Sequence, residues 1–367
     1  MGQEAMKHPL GHLIRQSPPF DANHIPNDSW MKDKVVIITG GASGFGLGMF
    51  KRWAVAGAVV IVADINVAKG DQLVRDVKKA TGNPHLHFIH CDVTDWPSQV
   101  SLFRETAKLS PHGGIDTVVA NAGIGGGKKS FEEPSDLDLA NPPPPDISIL
   151  DVNLKGIVYT SYLALWYLPR NPGSSPADPK CVPIQTNRDR HLLLIGSIAG
   201  LMAIPGASLY GASKHAVVGL YRNLRASSFM HGVRVNLICP YFVETPLLTA
   251  RARAILAGGV LAKEEDVVDA ATRFAADPCV VGRAVCVNPK LKVKQDVGGE
   301  WSLVEGEDQD AEQRAIWEVY LHDFEDADVF QRRIIAIINR ATEIRGWIGW
   351  AQDMVRALAY GLRSLWA

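Results

Sequence analysis

The chain has 367 residues, of which 47% are hydrophobic and 21% are charged, and its formal net charge is −1. This apolar content is enough for a large core, and a chain of this length can hold an α/β domain of about 250 residues with additions at its ends. A net charge so close to zero gives no long-range attraction for nucleic acid or for an anionic membrane surface, so no nucleic-acid partner is expected.

The cysteines and the N-terminal region point to a cytoplasmic protein. The five cysteines are odd in number and lack the spacing of metal ligands, so we expect reduced thiols and no metal site. The first thirty residues lack the apolar run of a signal peptide, and no stretch of 18 apolar residues occurs. Residues 1–30 show no periodicity and are expected to form an arm on the surface.

The first strand, turn and helix predict a dinucleotide site. Val35 to Ile38 are four consecutive β-branched residues, which is typical of a parallel strand buried on both faces. A glycine-rich turn over residues 40–46 follows, and residues 47–59 then show helical spacing. The backbone N–H groups at such a helix start, together with the helix dipole, attract a pyrophosphate.

The second strand indicates which dinucleotide is bound. Residues 58–63 form another apolar run, which ends at Asp64, 18 residues after Gly46. A carboxylate at that place accepts hydrogen bonds from the ribose hydroxyls of NAD and repels the 2′-phosphate of NADP. Neither Ile65 nor Ser43 offers the cation that NADP needs, so the sequence predicts NAD as cofactor.

A tyrosine and a lysine later in the chain predict the chemistry. Tyr210 and Lys214 are four residues apart, which places them on neighbouring turns of one helix, and Ser197 lies thirteen residues before the tyrosine. An ammonium beside a phenol favours the phenolate, so we expect the pKa of Tyr210 to fall toward neutral pH. Tyr210 is then a candidate general acid/base for an alcohol or carbonyl oxygen, with Ser197 supporting the developing charge.

Together with further motifs, these segments resemble the short-chain dehydrogenase/reductase family over about residues 34–287. The further motifs are Asp92-Val93, Asn121-Ala122-Gly123, the Asp151 to Gly156 segment and the Pro240 to Thr245 segment. The resemblance implies that Asn153, Ser197, Tyr210 and Lys214 are the catalytic residues. It also implies that Lys214 holds the nicotinamide ribose and that Asn153 anchors a water that relays protons between Lys214 and solvent. It implies cofactor contacts from Thr39, Gly40, Ser43, Gly44, Phe45, Gly46, Asp64, Ile65, Asp92, Val93, Asn121, Ala122, Gly123, Tyr210, Lys214, Pro240, Val243 and Thr245.

The fold expected from this resemblance is α/β, a Rossmann-type doubly wound parallel sheet in one main domain. We expect the N-terminal arm to cover residues 1–30, the catalytic domain residues 31–290, and a C-terminal helical extension residues 291–367. The family also implies a homo-oligomer built on the helices that hold Asn153 and Tyr210.

One position departs from the family pattern and bears on the substrate. Tyr241 follows Pro240 where members usually have glycine, which adds bulk near the nicotinamide. Residues 199–206, Ile124 and residues 241–248 are largely apolar, so the expected substrate is a lipophilic secondary alcohol of steroid, oxylipin, terpenoid or polyketide type. The alternatives are an NADP-dependent ketone reductase, an epimerase, or an inactive regulatory module that binds NAD.

The roles of two insertions and of the C-terminal segment are not decided by the family resemblance. Residues 125–147 contain four consecutive prolines and predict an extended loop, of which residues 125–129 could help to wall the pocket. Residues 170–190 predict a surface loop. Residues 311–367 are helix-prone and break near residues 324–328. Apolar side chains at helical spacing, with Trp347, Trp350 and Trp366, fit packing against the domain or a partner subunit, a membrane surface, or a pocket lid.

Overall fold

The computed structural model describes residues 17–319, except 24, 26, 127–130, 133–140, 185, 246–260, 307 and 309, and scattered residues between 336 and 355. The chain divides into two units, one of residues 16–320 and the other of residues 1–15 and 321–367. No helix among the described residues is long and apolar enough to cross a membrane.

A nine-stranded sheet forms the centre of the larger unit. Its strands are β1 Val35–Thr39, β2 Val59–Asp64, β3 Leu86–His90, β4 Thr117–Ala120, β5 His191–Ile195, β6 Arg234–Pro240, β7 Ala284–Gln295, β8 Trp301–Leu303 and β9 Glu312–Glu318. The order is β3-β2-β1-β4-β5-β6-β7-β8, with β9 paired to β7. Strands β1 to β7 are parallel, and the order reverses at β1, where the chain crosses from one half of the sheet to the other.

Helices cover the sheet between the strands, as the predicted α/β class requires. They are α1 Gly44–Val55, α2 Val67–Thr81, α3 Trp96–Leu109, α4 Ser148–Leu150, α5 Ile157–Tyr167, α6 Ser208–Ser227 and α7 Glu264–Ala276. A π-helical segment, Asp151–Gly156, joins α4 to α5, and short 3₁₀ turns lie at Asp28–Met31, Leu168–Arg170, Ile198–Gly200 and Ser228–His231. The predicted doubly wound α/β fold is therefore confirmed.

The segment after residue 290 differs from the predicted helical extension. Strand β7 continues to Gln295, and both β8 and β9 pair with it in antiparallel fashion. Residues 312–318 favour a helix by composition, but pairing with the open edge of β7 outweighs that preference. Trp301 and Trp317 meet edge to face at 5.8 Å, and the Arg314 guanidinium lies over both rings. The larger unit thus ends near residue 320 rather than 290.

The described part of the predicted N-terminal arm is anchored in the core at three positions, although most of the residues between them are exposed. The Phe20 ring lies 5.3 Å from the Phe274 ring, and both are buried. The backbone N–H of Ser17 donates to the carbonyl of Val281 at 3.1 Å, and Trp30 is also buried. The apolar side chains at positions 20 and 30 explain this burial, since they cover α7 and the start of β1.

The insertion at residues 170–190 is not a simple surface loop, because both of its ends are buried. The Asn171 amide donates to Asp116 Oδ1 at 2.9 Å, and Asp189 pairs with Arg234 at 2.6 Å. The carboxylate of Asp116 also accepts the backbone N–H of Val35 at 2.8 Å. These contacts join the amino ends of β1, β4, β5 and β6, at the opposite edge of the sheet from Ser197.

Candidate active site

Three of the predicted catalytic side chains meet at the carboxyl edge of β5. Ser197 lies two residues after β5 ends, and its hydroxyl accepts the backbone N–H of Ala199 at 3.2 Å. Helix α6 presents Tyr210 and Lys214 one turn apart. The Ser197 hydroxyl hydrogen-bonds the Tyr210 phenol, and Lys214 Nζ donates to the carbonyl of Ile195 at 3.2 Å. The Lys214 ammonium lies 5.8 Å from the Tyr210 ring centre.

Asn153 lies in the π-helical segment and connects the loop after β4 to helix α6. Its Oδ1 accepts the backbone N–H of Ile124 at 2.8 Å, and its Nδ2 donates to the carbonyl of Ile124 at 2.9 Å. The same Nδ2 donates to Ser213 Oγ at 3.3 Å, and Ser213 donates to the carbonyl of Tyr210 at 2.7 Å. Single π turns inside helices are frequent at functional sites, where they re-aim a side chain. The relay water that the resemblance assigns to Asn153 stays a prediction.

Burial changes the titration of the two central groups. Burial raises the pKa of Tyr210, against a smaller lowering effect of its hydrogen bond to Ser197. Burial lowers the pKa of Lys214 to about 8. The prediction that the tyrosine pKa falls is therefore wrong for the protein without cofactor. Removal of the phenol from water disfavours the charged phenolate, and this effect exceeds that of the hydrogen bond to Ser197.

The glycine turn between β1 and α1 has the form of a pyrophosphate cradle. Gly40 and Gly44 have φ values of +64° and +48°, which favour glycine. A Cβ at Gly46 would lie 2.4 Å from the carbonyl oxygen of Gly40, so the turn closes tightly only with glycine there. In the described structure the Ser43 side chain does not cap α1. The first backbone N–H groups of α1 are consequently oriented as an anion site requires.

The loops after β2, β3 and β4 border the same turn. Thr39 Oγ1 accepts the backbone N–H groups of Asn121 at 3.0 Å and Ala122 at 3.2 Å. Asp64 Oδ2 accepts the N–H of Ala42, a residue of the glycine turn, at 3.0 Å. The carboxylate that would receive ribose hydroxyls is thus fixed beside the pyrophosphate cradle, while Ile65 extends into solvent.

The remaining predicted cofactor residues fall at this edge as well. Asp92 Oδ1 accepts the backbone N–H of Thr94 at 2.9 Å, and Val93 is buried beside Gly156. A Cβ on Gly123 would lie 3.3 Å from Asn153 Oδ1, so a larger residue there would press on the Asn153 amide.

The segment after β6 reaches the glycine turn from the other side. Val243 is buried and bridges to Ala262, and Thr245 Cγ2 lies 4.0 Å from a Cβ built on Gly44. The Tyr241 backbone N–H still pairs with Val287 at 2.9 Å, so the tyrosine does not divert the chain there. Leu247 and Leu248, predicted to line the pocket, lie outside the described residues.

A sequence model of the short chain dehydrogenase family matches residues 34–255. The chain belongs to the short-chain dehydrogenase family. A 5′-hydroxyaverantin dehydrogenase of Dothistroma septosporum is 37% identical, covering 74% of this chain and 90% of the relative. The NADP-dependent dehydrogenase M3 of a Phoma species is 32% identical, covering 70% of this chain and 75% of the relative.

A solved structure is similar in fold to this short-chain dehydrogenase. The 3-ketoacyl-(acyl-carrier-protein) reductase from Brucella melitensis, complexed with NADH, superposes with a TM-score of 0.57 at 24% identity. The match covers 70% of this chain and 97% of the reductase. At this identity the likeness supports the arrangement of the sheet and helices and carries no conclusion on substrate.

Glu132 is a residue of this short-chain dehydrogenase that the sequence did not reveal. Helix α6 begins after Ala207, whose side chain cannot cap it. Glu132 Oε1 accepts the backbone N–H of Ser208 at 3.1 Å and also accepts the Ser208 hydroxyl. The insertion at residues 125–147 therefore supplies the missing cap of the helix that carries Tyr210, as a carboxylate at a helix start does.

Ser213 is a second site residue that the sequence did not reveal, for a different reason. It lies inside the Tyr210 to Lys214 step, yet its role depends on Asn153, which is sixty residues away in the chain.

Among the described residues, no group of His, Cys, Asp or Glu side chains could hold a metal ion. Membership of the family supports a nicotinamide cofactor for this site.

Proposed function

We propose that this protein oxidises a lipophilic secondary alcohol to a ketone with NAD, using Tyr210 as the general base. The observation that carries the proposal is the Ser197, Tyr210 and Lys214 cluster beside the glycine turn. A hydroxyl beside a phenol, with an amine on the next turn of the same helix, forms a site for proton transfer at the carboxyl edge of a parallel sheet. The bound nicotinamide supplies the hydride acceptor.

Side chains of the protein would bind the substrate oxygen, accept its proton and keep Tyr210 in position. Ser197 donates a hydrogen bond to the substrate oxygen, and Tyr210 takes the hydroxyl proton from that oxygen. Lys214, held by the Ile195 carbonyl, stabilises the phenolate once the proton has moved. Asn153 and Ser213 hold the start of α6 against the loop at Ile124, which keeps Tyr210 in position.

The preference for NAD rests on Asp64. Some relatives are named NADP-dependent, so family membership does not decide the cofactor. Here a carboxylate at the end of β2 is fixed by two backbone N–H groups, those of Ala42 and Asn66 at 3.0 Å each. A 2′-phosphate at that place would meet this negative charge, whereas ribose hydroxyls would donate to it.

We therefore expect kcat/KM for NAD to exceed that for NADP by at least about 100-fold. Asp64→Ser should lower kcat/KM for NAD by about 10-fold to 100-fold, because one or two hydrogen bonds to a charged group are lost. The measurement is the initial rate of NADH absorbance with a panel of secondary alcohols and both coenzymes. Asp71→Ser, a change at an exposed acid of α2, is the matched control and should leave both rates unaltered. Equal use of both coenzymes by the unmodified protein would contradict the assignment.

The same assay tests the substrate class and the alternatives. Two relatives are named 5′-hydroxyaverantin dehydrogenases, and the apolar Ile124, Tyr241 and Phe242 lie near the site, which together favour a lipophilic hydroxylated secondary metabolite. Faster consumption of NADPH with ketones than formation of NADH with alcohols would favour the reductase. Coenzyme binding without turnover on any panel member would favour the inactive module.

We propose a homo-oligomer that uses α5, in line with the assembly typical of the family. Val158, Tyr162 and Trp166 recur at four-residue intervals and are exposed, and Trp96 continues the patch 5.8 Å from Tyr162. Large apolar side chains grouped in this way usually mark an interface. By light scattering, Tyr162→Glu should reduce the mass of the full chain to that of a smaller species, while Val55→Glu, at an exposed site of α1, should not. A monomeric unmodified protein would contradict the proposal.

The membrane contact of the C-terminal segment stays a prediction, as does the cytoplasmic location. The described residues between 336 and 355 are helical, and Trp347 and Trp350 are exposed and meet edge to face at 5.8 Å. Co-sedimentation of the full chain with anionic liposomes is expected to fall when both tryptophans are changed to glutamate. Equal absence of binding in both proteins would remove the membrane option.

A further inference from the structure

Two cysteines that are far apart in the chain lie against each other in the fold. Cys181 is in the insertion before β5, and Cys279 is in the turn between α7 and β7, 98 residues later. Their sulfur atoms are 3.0 Å apart, and Cys279 Sγ also approaches the carbonyl oxygen of Cys181 at 3.1 Å. A disulfide bond is about 2.05 Å long, so the sulfurs need to approach by only about 1 Å.

This pair is more accessible than two of the other three cysteines. Cys181 and Cys279 are both partly exposed, so a small reagent can reach them, whereas Cys91 and Cys239 are buried in the strand region. The backbone on each side is fixed by local turns: Cys181 N–H donates to the Asp178 carbonyl at 3.0 Å, and Cys279 N–H donates to Asp277 Oδ1 at 2.9 Å. The two thiols are therefore presented to each other by ordered loops.

We propose that Cys181 and Cys279 form a disulfide that fastens the insertion at residues 170–190 to the turn between α7 and β7. The oxidant is a low-molecular-weight disulfide of the glutathione type. One cysteine thiolate attacks the reagent, forming a mixed disulfide and releasing one small thiolate. The second cysteine thiolate then attacks the protein sulfur of that mixed disulfide and releases the other. Two protein thiols are oxidised, one disulfide is reduced to two thiols, and the two protons pass to the released thiolates.

The position of the bond predicts its effect. Both loops lie at the amino ends of β5 and β7, where Arg234 already bridges them by pairing with Asp189 and donating to the carbonyl of Val280 at 3.2 Å. Closure therefore adds a covalent link to an existing contact. A link between residues this far apart removes much conformational freedom from the unfolded chain. The active-site groups lie at the other end of β5, so oxidation should stabilise the fold without altering turnover. Burial raises the pKa of both thiols, so the reaction should be slow at neutral pH.

The test is to equilibrate the full chain with reduced or oxidised glutathione, unfold it in acidic denaturant to stop exchange, block free thiols with N-ethylmaleimide in denaturant, and determine the mass. The reduced protein should carry five blocked cysteines, the total that the sequence contains, and the oxidised protein should carry two fewer. A non-reducing peptide map should show the segment around Cys181 linked to that around Cys279. The melting temperature should rise by roughly 5–10 °C on oxidation.

Variants distinguish this bond from other outcomes. Cys181→Ser and Cys279→Ser should each abolish the loss of two thiols and the rise in melting temperature, whereas Cys91→Ser should keep both. Cys239 and Cys286 are register partners on β6 and β7, and they form an internal comparison. A link between those two, a lasting glutathione adduct on Cys181 or Cys279, or five free thiols under every condition would overturn the proposal.

Discussion

Replacing Tyr210 with phenylalanine lowers kcat by about 10²-fold to 10⁴-fold, the usual contribution of a positioned general acid or base. The change removes only the hydroxyl, so the ring keeps its place at the start of α6. The phenol is the group that the Ser197 hydroxyl contacts, and it lies on the same helix face as Lys214. Without it, the site has no other described group between Ser197 and the lysine to receive the substrate proton.

The measurement is steady-state turnover of the best alcohol of the panel, with coenzyme affinity determined separately by calorimetry. We expect the dissociation constant for NAD to change by less than about 3-fold, since the glycine turn and Asp64 are untouched. Tyr167→Phe makes the same chemical change on α5, at a residue whose ring packs 5.3 Å from that of Phe103, and serves as the control. A Tyr210→Phe protein that kept most of its turnover would exclude the proposed proton transfer.

The sequence predicted those parts of the site that depend on local spacing. The glycine turn, the carboxylate at the end of β2 and the step from Tyr210 to Lys214 are each set by a strand or helix of known period. Their distances in the chain therefore translate directly into distances in space. The parallel order of the strands then brings these segments to one edge, as the open α/β sheet requires.

Other features depend on contacts between distant parts of the chain, which local patterns do not encode. Glu132 reaches Ser208 across 76 residues. Strand β9 is helix-prone in composition and is a strand only because β7 offers an unpaired edge. The prediction that the pKa of Tyr210 falls was wrong for the same reason. Proximity to a lysine could be read from the spacing, whereas the burial of both groups could be known only from the packed structure.

Replacing Lys214 with methionine should abolish turnover and, at neutral pH, make the cofactor-free protein more stable. Burial lowers the pKa of Lys214 to about 8, from an ordinary value of 10.5. Holding this ammonium in the folded state therefore costs free energy that methionine, of similar length and apolar, does not incur. This lowering of the pKa corresponds to about 3 kcal/mol of unfolding free energy. Loss of the hydrogen bond to Ile195 offsets about 1 kcal/mol of the stability that the methionine variant gains.

The sign of the pH dependence distinguishes this effect from simple repacking. Between about pH 8 and pH 10 the unfolded chain holds the lysine proton and the folded chain does not, so the stability of the unmodified protein rises with pH in that window. Below about pH 8 both states are protonated and the full cost remains. The advantage of Lys214→Met should thus be largest at pH 7 and should shrink as the pH approaches 10.

Urea unfolding of the two cofactor-free proteins at pH 7 and pH 9.5 measures this difference. Lys79→Met, at an exposed position near the end of α2, is the matched control and should show no change in its stability difference between the two pH values. A Lys214→Met protein less stable than the unmodified one at pH 7 would contradict the prediction. In the proposed mechanism the lysine offsets its cost, because the phenolate of Tyr210 needs a neighbouring cation once it has lost its proton. Stability is therefore reduced at the residue on which turnover depends.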